Sequence, residues 1–296
     1  MTASARSQTM DGPGRALVDG EFAFTEEDFR RIAAMLHGET GIVVTAGKAT
    51  LVYSRLAKRL RTLGLASFKA YCALVASDDG LDERQAMFAA LTTNVTRFFR
   101  EPHHFDHLKT RVLPPLIDAA RRGGRVRIWS AACSSGQEPY SAAMTILSLA
   151  PDAASLDIKI LATDIDPNMV ADGRVGAYPR NLLDAVPPDM RNRWFSPSAD
   201  GGMQIADEVK ALVSFRELNL IGQWPMQGTF DAIFCRNVVI YFGEDTQARI
   251  WSRFAPLLAL GGVLYIGHSE RVSGPAVDQF APDGVTTYRK VGGGKR

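Results

Sequence analysis

The residues best suited to chemistry in this chain stand where short apolar runs end. Asp164 ends one run, Arg236 and Asn237 end another, and the small residues at 130–136 end a third. A carboxylate can accept hydrogen bonds from both hydroxyls of a ribose, and small residues let the backbone approach a ligand closely. If the runs are parallel strands of one sheet, these residues meet at the edge where α/β proteins bind their ligands.

The same positions indicate which kind of ligand to expect. The chain has no G-x-G-x-x-G sequence, so a dinucleotide pyrophosphate site is poorly supported. We therefore favour a nucleoside without a pyrophosphate, such as S-adenosylmethionine, which carries its own activated methyl group. Read alone, residues 130–136 also fit a plain tight turn. Of the two acids after the second run, we assign the ribose role to Asp164 and the helix N-cap role to Asp166.

Histidine and cysteine residues offer a second kind of chemistry. His103, His104 and His107 have the spacing of helical metal ligands. No further cluster of ligands is nearby, so we expect solvated or capping histidines and no metal. Cys133 and Cys235 adjoin the proposed ligand loops, and we expect them to be small packing residues rather than nucleophiles.

The elements that must position these residues alternate along the second part of the chain. Apolar strands that alternate with helices predict an α/β fold with a doubly wound, mostly parallel sheet. We expect strands at 126–131, 158–163, 230–235 and 263–267, a weaker strand at 213–216, an antiparallel strand at 286–291, and helices at 138–149 and 245–259.

The first part of the chain has a different pattern. Residues 1–20 are polar and small, which predicts a disordered tail. Residues 21–95 predict an N-terminal helical domain, with a first helix from Thr25 to near Gly38 or Gly41 and further helices over 48–63, 67–76 and 83–91. Residues 96–296 form the predicted sheet domain, which includes a small antiparallel β insertion at about 180–212.

Composition limits the class of protein. The chain of 296 residues has 34 Lys+Arg against 32 Asp+Glu, which is too small an excess to indicate nucleic acid as the main partner. Its three cysteines are too few and too widely spaced for a disulfide framework. The chain contains no run of about 18 apolar residues, which is the length that would predict a membrane-spanning helix. We therefore expect a soluble, cytoplasmic protein.

Several longer motifs resemble those of the bacterial chemotaxis receptor methyltransferases, the CheR family. The segment LTTNVTRFFREPHHF at 91–105 resembles the family's interdomain segment, and residues 130–141 resemble its first cofactor loop. FDAIFCRN at 230–237, followed by Tyr241-Phe242, resembles its fourth-strand motif, and GHSE at 267–270 matches the end of its fifth strand. The resemblance covers roughly residues 22–290.

The resemblance implies a protein-glutamate O-methyltransferase with the S-adenosylmethionine-dependent methyltransferase fold. Methyl would pass from S-adenosylmethionine to glutamate side chains on the cytoplasmic helices of a methyl-accepting chemotaxis receptor. The products would be a glutamyl methyl ester and S-adenosylhomocysteine. A glutamate with a pKa of about 4.3 is already ionised at neutral pH, so no strong base is needed.

The resemblance also implies roles for individual residues. Arg100 and Tyr241 are the expected catalytic pair: Arg100 can hold a carboxylate by charged hydrogen bonds, and Tyr241 can orient the acceptor oxygen or the methyl group. Positions that match the family's cofactor contacts are Asn94, Thr96, Arg100, Glu138, Asp164, Asn219, Leu220, Arg236 and Asn237. Taken singly, Arg100 fits a surface salt bridge with Glu101, and Tyr241 fits a core aromatic residue.

Two expectations concern the receptor. The segment 48–69 has only basic charges, and Arg55, Lys58 and Arg59 share one face of its helix, so we assign them a substrate-docking role rather than that of a solvated face. The β insertion resembles the family's receptor-tethering subdomain. Its loop at 196–202 is short, so we expect that a C-terminal receptor pentapeptide is not used. We expect a monomer.

Two other functions stay open at the level of sequence. A methyltransferase acting on nucleic acid would carry an Asp/Asn-Pro-Pro-aromatic motif after the fourth strand, where this chain has Cys235-Arg236-Asn237-Val238. A non-catalytic protein that senses S-adenosylmethionine or acts as a scaffold would not need Arg100 or Tyr241.

Overall fold

A computed structural model describes residues 16–199 and 201–292, so residues 1–15 of the predicted tail lie outside the described residues. The chain divides into two compact units, Met1–Leu91 and Thr92–Arg296, which we call the helical unit and the sheet unit. The division falls before the boundary expected at 95/96. Its cause is Asn94, which hydrogen-bonds to Asp166 and Ser134 and so belongs with the sheet unit.

The helical unit begins with a short antiparallel pair of strands. The described elements are β1 (Ala16–Val18), β2 (Phe24–Thr25), α1 (Glu26–Thr40), α2 (Ala49–Leu63), α3 (Phe68–Ala76) and α4 (Leu81–Leu91). Thr25 caps α1 through a capping box with Asp28, and Gly41 ends the helix in the left-handed conformation, as the sequence predicts. Strand β1 lies within the range predicted as tail, which is therefore too long at its C-terminal end.

Apolar helix faces form the core of the helical unit. Phe24 and Phe68 pack with ring centroids 4.4 Å apart, and α2 contributes Val52, Leu56 and Leu60. This is the expected 3.6-residue periodicity of an amphipathic helix. The face of α2 that carries Arg55 and Arg59 is half-buried, because these side chains find partners inside the unit.

The sheet unit has the predicted doubly wound sheet. In the described residues its strands are β3 (Val126–Ala131), β4 (Ile158–Asp164), β8 (Val213–Glu217), β9 (Phe230–Cys235), β10 (Leu258–Ile266), β11 (Phe280–Gly284) and β12 (Thr287–Lys290). Their order across the sheet is β11-β12-β10-β9-β3-β4-β8. The strands from β10 to β8 run parallel, and β12 pairs antiparallel with both β10 and β11.

Helices alternate with the parallel strands. They are α5 (Pro102–His107), α6 (Leu113–Arg121), α7 (Gln137–Leu149), α8 (Pro167–Val175), α9 (Pro188–Trp194), α10 (Asp207–Lys210) and α11 (Glu244–Leu257). A π-helical turn, Leu108–Val112, joins α5 to α6. Buried residues of α7 and strands β3, β4 and β9 share one apolar core.

The β insertion forms a separate antiparallel sheet in the order β5-β7-β6. Its strands are β5 (Ala177–Tyr178), β6 (Phe195–Pro197) and β7 (Met203–Ile205). The insertion therefore begins at β5, slightly before the expected residue 180. Among the described residues, no helix combines the length and apolar character needed to cross a membrane.

Candidate active site

The carboxyl ends of β3, β4, β8 and β9 form one edge of the sheet, which we call the carboxyl edge. The chain order changes direction between β3 and β9, which is where open α/β sheets leave a crevice for a ligand. The loops after these strands, together with the last residue of β4 and the first turn of α7, carry six of the nine predicted cofactor residues. Five of the six non-glycine residues with positive φ in the described chain lie in or beside these loops: Phe99, Glu101, Ala132, Ser134 and Asn237. Such backbone conformations concentrate at functional sites.

Asp164 ties the first two loops of the carboxyl edge together. Its carboxylate accepts hydrogen bonds from the backbone N–H of Ser134 at 2.7 Å and of Asp166 at 3.0 Å. The residue is 5% exposed, and burial raises its pKa although these two N–H groups oppose the change. Each carboxylate oxygen can accept a second hydrogen bond. Asp164 thus shapes the loop as well as offering the acceptor that the sequence predicts.

Asp166 caps α8, as expected from its position before Pro167. One of its oxygens accepts the backbone N–H of Asn168 at 2.9 Å. The other accepts the side-chain amide of Asn94 at 2.8 Å, and the hydroxyl of Ser134 donates to the Asn94 carbonyl at 2.8 Å. Asn94 is therefore fixed beside the loops after β3 and β4, where it is half-buried.

Arg236 joins two acidic residues in a buried network. Its guanidinium donates to the Glu138 carboxylate at 3.0 Å and lies 3.4 Å from the Glu101 carboxylate. Ser130 donates to the other oxygen of Glu138 at 2.7 Å. We call these four residues the Arg236 cluster.

The electrostatics of the Arg236 cluster depend on that one guanidinium. Burial raises the pKa of Glu138 while Arg236 works to lower it. Burial also works to raise the pKa of Glu101, but the charge of Arg236, aided by hydrogen bonds from His268, holds it below its ordinary value. The Arg236 side chain is 2% exposed. Its charge is therefore paired with carboxylates of the protein itself. The sequence predicts Arg236 only as a cofactor contact and does not reveal these partners.

The segment at 99–101 is held by contacts with both the Arg236 cluster and α7. The Phe99 N–H donates to the Ser141 hydroxyl at 2.9 Å, and Arg236 donates to the Arg100 carbonyl. The Arg100 guanidinium donates to the Val95 carbonyl at 3.0 Å and is half-buried. These contacts maintain the left-handed backbone on both sides of Arg100.

The loop after β9 carries Asn237 and Tyr241. Tyr241 ends a 3-10 turn, Val239–Tyr241, and is half-buried. The carboxylate of Glu270 accepts the backbone N–H groups of Asn237, Val238 and Val239 at 2.8–2.9 Å. Glu270 belongs to the GHSE motif, but sequence reasoning gave it no role, because nothing local shows which N–H groups it meets.

The loop after β8 carries Asn219 and Leu220. The side-chain oxygen of Asn219 accepts the Ile221 N–H at 3.0 Å, which stabilises a tight turn. Arg253 donates to the carbonyl of Leu220 at 2.8 Å, and its guanidinium lies 3.8 Å from the centre of the Trp224 ring. Arg253 is a second residue that sequence reasoning missed, since its partners come from a distant loop.

His103 is exposed, as expected for a solvated histidine, whereas His104 and His107 are buried and half-buried. His104 is fully buried, with a ring nitrogen 2.8 Å from the Thr286 hydroxyl, and burial lowers its pKa to about 3. His107 lies 3.0 Å from the Tyr265 hydroxyl. Glu101, His103 and His104 bring possible ligand atoms within 4.8 Å of one another. The positive charge of Arg236 beside Glu101 opposes a cation there.

The cysteines lie where packing residues are expected. Cys133 and Cys235 are both buried, and burial raises the pKa of each thiol. Both therefore stay protonated at neutral pH, which favours the packing role over that of a nucleophile.

The proposed docking residues of α2 differ in their surroundings. Arg55 donates to the carbonyls of Ala90 and Leu91 at the end of α4. Arg59 pairs with Glu83 through both sides of its guanidinium. Lys58 alone of the three is exposed. Two residues of the shared basic face therefore also stabilise the helical unit itself, and the docking role of all three stays a prediction.

Two family models match the chain. One, described as CheR methyltransferase, all-alpha domain, matches residues 27–92, and the other, described as CheR methyltransferase, SAM binding domain, matches residues 94–288. The chain belongs to the CheR methyltransferase family. It is a methyltransferase, and its cofactor is S-adenosylmethionine.

Three named relatives align with this chain over at least 91% of their own length. A "Probable chemotaxis protein methyltransferase" of Rhizobium etli is 58% identical over 86% of this chain and 96% of that protein. "Chemotaxis protein methyltransferase 2" of Pseudomonas aeruginosa is 42% identical, covering 87% of this chain and 91% of that protein. The "Chemotaxis protein methyltransferase" of Escherichia coli is also 42% identical, covering 90% of this chain and 91% of that protein.

The carboxyl edge fits this cofactor. The side-chain oxygen of Asn237 is buried and has no hydrogen-bond partner among the described residues, so it can accept a bond from a bound ligand. Asp164 and Glu138 add carboxylates at the same edge. Acceptors of this kind suit a ligand with ribose hydroxyls and a cationic amino group.

Proposed function

We propose that this CheR methyltransferase esterifies glutamate side chains on the cytoplasmic helices of chemotaxis receptors. The observation that carries the proposal is the placement of Arg100 and Tyr241 at the carboxyl edge, on two segments that buried charged groups hold in place. The curated relatives, which bear the name chemotaxis protein methyltransferase, support the receptor as substrate. The products are a glutamyl methyl ester and S-adenosylhomocysteine.

The proposed cofactor site follows the carboxyl edge. Asp164 would accept hydrogen bonds from the ribose hydroxyls, and Asn219 and Leu220 would border the base. We assign the remaining contacts to Asn94, Thr96, Arg100, Glu138 and Asn237, and we keep Arg236 in the site as a residue that positions others. For Arg236, the buried guanidinium indicates that its role is to fix Glu138 and the Arg100 carbonyl. When bound, S-adenosylmethionine supplies a methyl group on a sulfonium, which is a good leaving group.

The residues of the chain have a limited task in this reaction. The attacking glutamate is ionised at neutral pH, so no residue has to remove a proton from it. Arg100 holds that carboxylate by charged hydrogen bonds, and Tyr241 orients its attacking oxygen. Positioning of this kind, together with the exclusion of water, can supply most of the acceleration for a transfer between bound groups.

The substrate class can be tested directly. The purified chain is incubated with S-adenosylmethionine labelled in the methyl group and with membranes that contain a chemotaxis receptor. We expect label on the receptor that mild base releases as methanol, because esters hydrolyse in base and N-methyl groups do not. A receptor whose acceptor glutamates are replaced by alanine is the matched control. Label on nucleic acid, or no label, would contradict the proposal.

We also propose that the basic face of α2 guides the acidic receptor. Lys58→Glu is expected to lower receptor methylation about threefold to tenfold at low salt, because it removes a steering charge. The difference from wild type should shrink as salt rises, since the lost attraction is one that salt screens. The measurement is the initial rate of receptor methylation across a salt series.

The choice of Lys58 follows from the surroundings of its neighbours. Reversing Arg55 or Arg59 would break contacts with α4 and Glu83, so any loss of activity would report unfolding instead of docking. Lys109→Glu, an exposed position in the sheet unit, makes the same change in charge and serves as the control. Equal methylation rates with equal salt dependence for wild type and Lys58→Glu would show that this face is a solvated surface without a docking role.

The remaining elements of the proposal concern partners. We propose a cytoplasmic monomer that does not bind nucleic acid and does not insert into the membrane. The hairpin of β6 and β7 has strands of only three residues, and its turn closes with a hydrogen bond from Ser198 to Gly202. Such a short hairpin offers little edge to an added peptide strand, which supports methylation without a receptor pentapeptide.

A further inference from the structure

Glu270 is a buried acid that the proposed reaction does not use. It lies just after β10, is 5% exposed, and places its carboxylate against the loop after β9. One oxygen accepts the N–H groups of Val238 and Val239 at 2.9 and 2.8 Å. The other accepts the N–H groups of Asn237 at 2.9 Å and Gly267 at 2.6 Å.

Three consecutive N–H groups that converge on one carboxylate make an anion-binding concavity of backbone. Asn237 takes a left-handed conformation, with φ of 59°, to direct its N–H inward. A Cβ atom at Gly267 would lie 2.7 Å from the Asn237 nitrogen, so glycine is needed for this close approach. The conformation of the loop thus depends on the carboxylate and on the absence of a side chain beside it.

The same loop carries Tyr241 one turn further on. The Tyr241 N–H donates to the Val238 carbonyl at 3.1 Å, and the Phe242 N–H donates to the Val239 carbonyl at 3.0 Å. The peptide unit between Val238 and Val239, whose N–H donates to Glu270, therefore also supplies the carbonyl that accepts the Tyr241 N–H. Removing the acceptor leaves these buried N–H groups unsatisfied, and the turn has to move to find other partners.

We infer that Glu270 is a positioning residue that sets the location of Tyr241. The inference rests on the proposed function, because it assumes that the Tyr241 hydroxyl contributes to methyl transfer. A displacement of about 1 Å in a catalytic group can cost about 100-fold in rate. The same carboxylate also orients the backbone of Asn237, so a separate effect on cofactor affinity is expected.

The test is a double-mutant cycle of Glu270→Gln and Tyr241→Phe. The amide of glutamine has about the same size but presents an NH2 group to two of the N–H donors. We expect Glu270→Gln to lower kcat roughly 30- to 100-fold in the wild-type background and less than about threefold in the Tyr241→Phe background. Its effect on the dissociation constant for S-adenosylmethionine should be the same in both backgrounds, since that effect passes through Asn237.

Two controls separate positioning from folding. Glu208→Gln, at an exposed glutamate of α10, is expected to match wild type throughout. Amide hydrogen exchange should become faster at Val238 and Val239 in Glu270→Gln while the midpoint of thermal unfolding changes little. Glu270→Asp keeps the charge but loses reach, so it should show the same changes in smaller degree.

The outcomes distinguish the inference from the proposed function. If the losses in kcat from Glu270→Gln and Tyr241→Phe multiply, or if Glu270→Gln has the wild-type kcat, the positioning role is wrong. If Glu270→Gln and Glu270→Asp both fail to fold, Glu270 is a determinant of the fold, and the inference is also wrong. A wild-type rate for Tyr241→Phe alone would instead contradict the catalytic role of Tyr241 in the proposed function.

Discussion

Arg236→Met is expected to lower the free energy of unfolding of the sheet unit by about 3–5 kcal/mol. The loss would come mainly from the two acids of the Arg236 cluster, since Glu138 and Glu101 would keep buried negative charges without a cation. The Arg100 carbonyl would lose its donor as well. The measurement is denaturant unfolding followed by tryptophan fluorescence at pH 8, where both acids are ionised in the unfolded chain.

The pH dependence of this variant gives a second check. Without Arg236 the pKa of both carboxyls in the folded state should lie above the unfolded value of about 4.3, because the charge of Arg236 no longer offsets the increase that burial causes. An acid whose pKa is raised on folding loses stability as pH rises through the folded value. The gap between Arg236→Met and wild type should therefore widen from pH 5 to pH 8.

Matched variants test the cause of that loss. Arg236→Met combined with Glu138→Gln should recover part of the stability, because one uncompensated charge is gone. Arg121→Met removes an arginine that pairs with Asp152 at 3.0 Å on the exposed surface, and it should leave the unfolding transition close to that of wild type. A loss of stability in Arg121→Met as large as that in Arg236→Met would show that the burial of the Arg236 cluster is not its cause.

The sequence predicts the centre of the fold better than its edges. The predicted bounds of the strands at 126–131 and 230–235 agree with β3 and β9, because buried parallel strands have uninterrupted apolar runs. Strand β11 was missed since it contains Pro282 and Gly284 and exists through its pairing with β12. Strand β10 begins at Leu258, earlier than expected, because that residue pairs with Phe230 across a bulge.

In the candidate site, too, the local sequence predicts some features, whereas others depend on contacts between residues that are distant in sequence. Residue types at strand ends indicate where a ligand binds, and the structure brings Asn94, Asp164 and Glu138 to that edge. The partners of Arg236 and Glu270 are far away in sequence, so no local pattern predicts them. The basic face of α2 shows a further limit, because a helical pattern does not distinguish an exposed charge from one that pairs with Glu83.

The proposed catalytic pair, Arg100 and Tyr241, carries the largest expected effect on activity. Arg100→Ala should lower kcat/KM for receptor methylation by about 100- to 1,000-fold, because the acceptor carboxylate loses its charged donor. Tyr241→Phe should lower kcat by about 100-fold, a typical loss for one positioned donor, and should leave the dissociation constant for S-adenosylmethionine nearly unchanged. Single-turnover methylation measures the rate of methyl transfer, and calorimetric titration measures the dissociation constant for S-adenosylmethionine.

Controls of the same residue types make this result specific. Tyr288→Phe changes a tyrosine that is half-buried like Tyr241 but lies on β12, which β10 separates from β9 in the sheet. Arg111→Ala removes an exposed arginine from the π-helical turn. Both should keep the wild-type rate. A Tyr241→Phe enzyme as fast as wild type would remove the hydroxyl from the reaction. If Arg100→Ala changed only the affinity for S-adenosylmethionine, Arg100 would belong to the cofactor site alone, and another group would have to hold the receptor carboxylate.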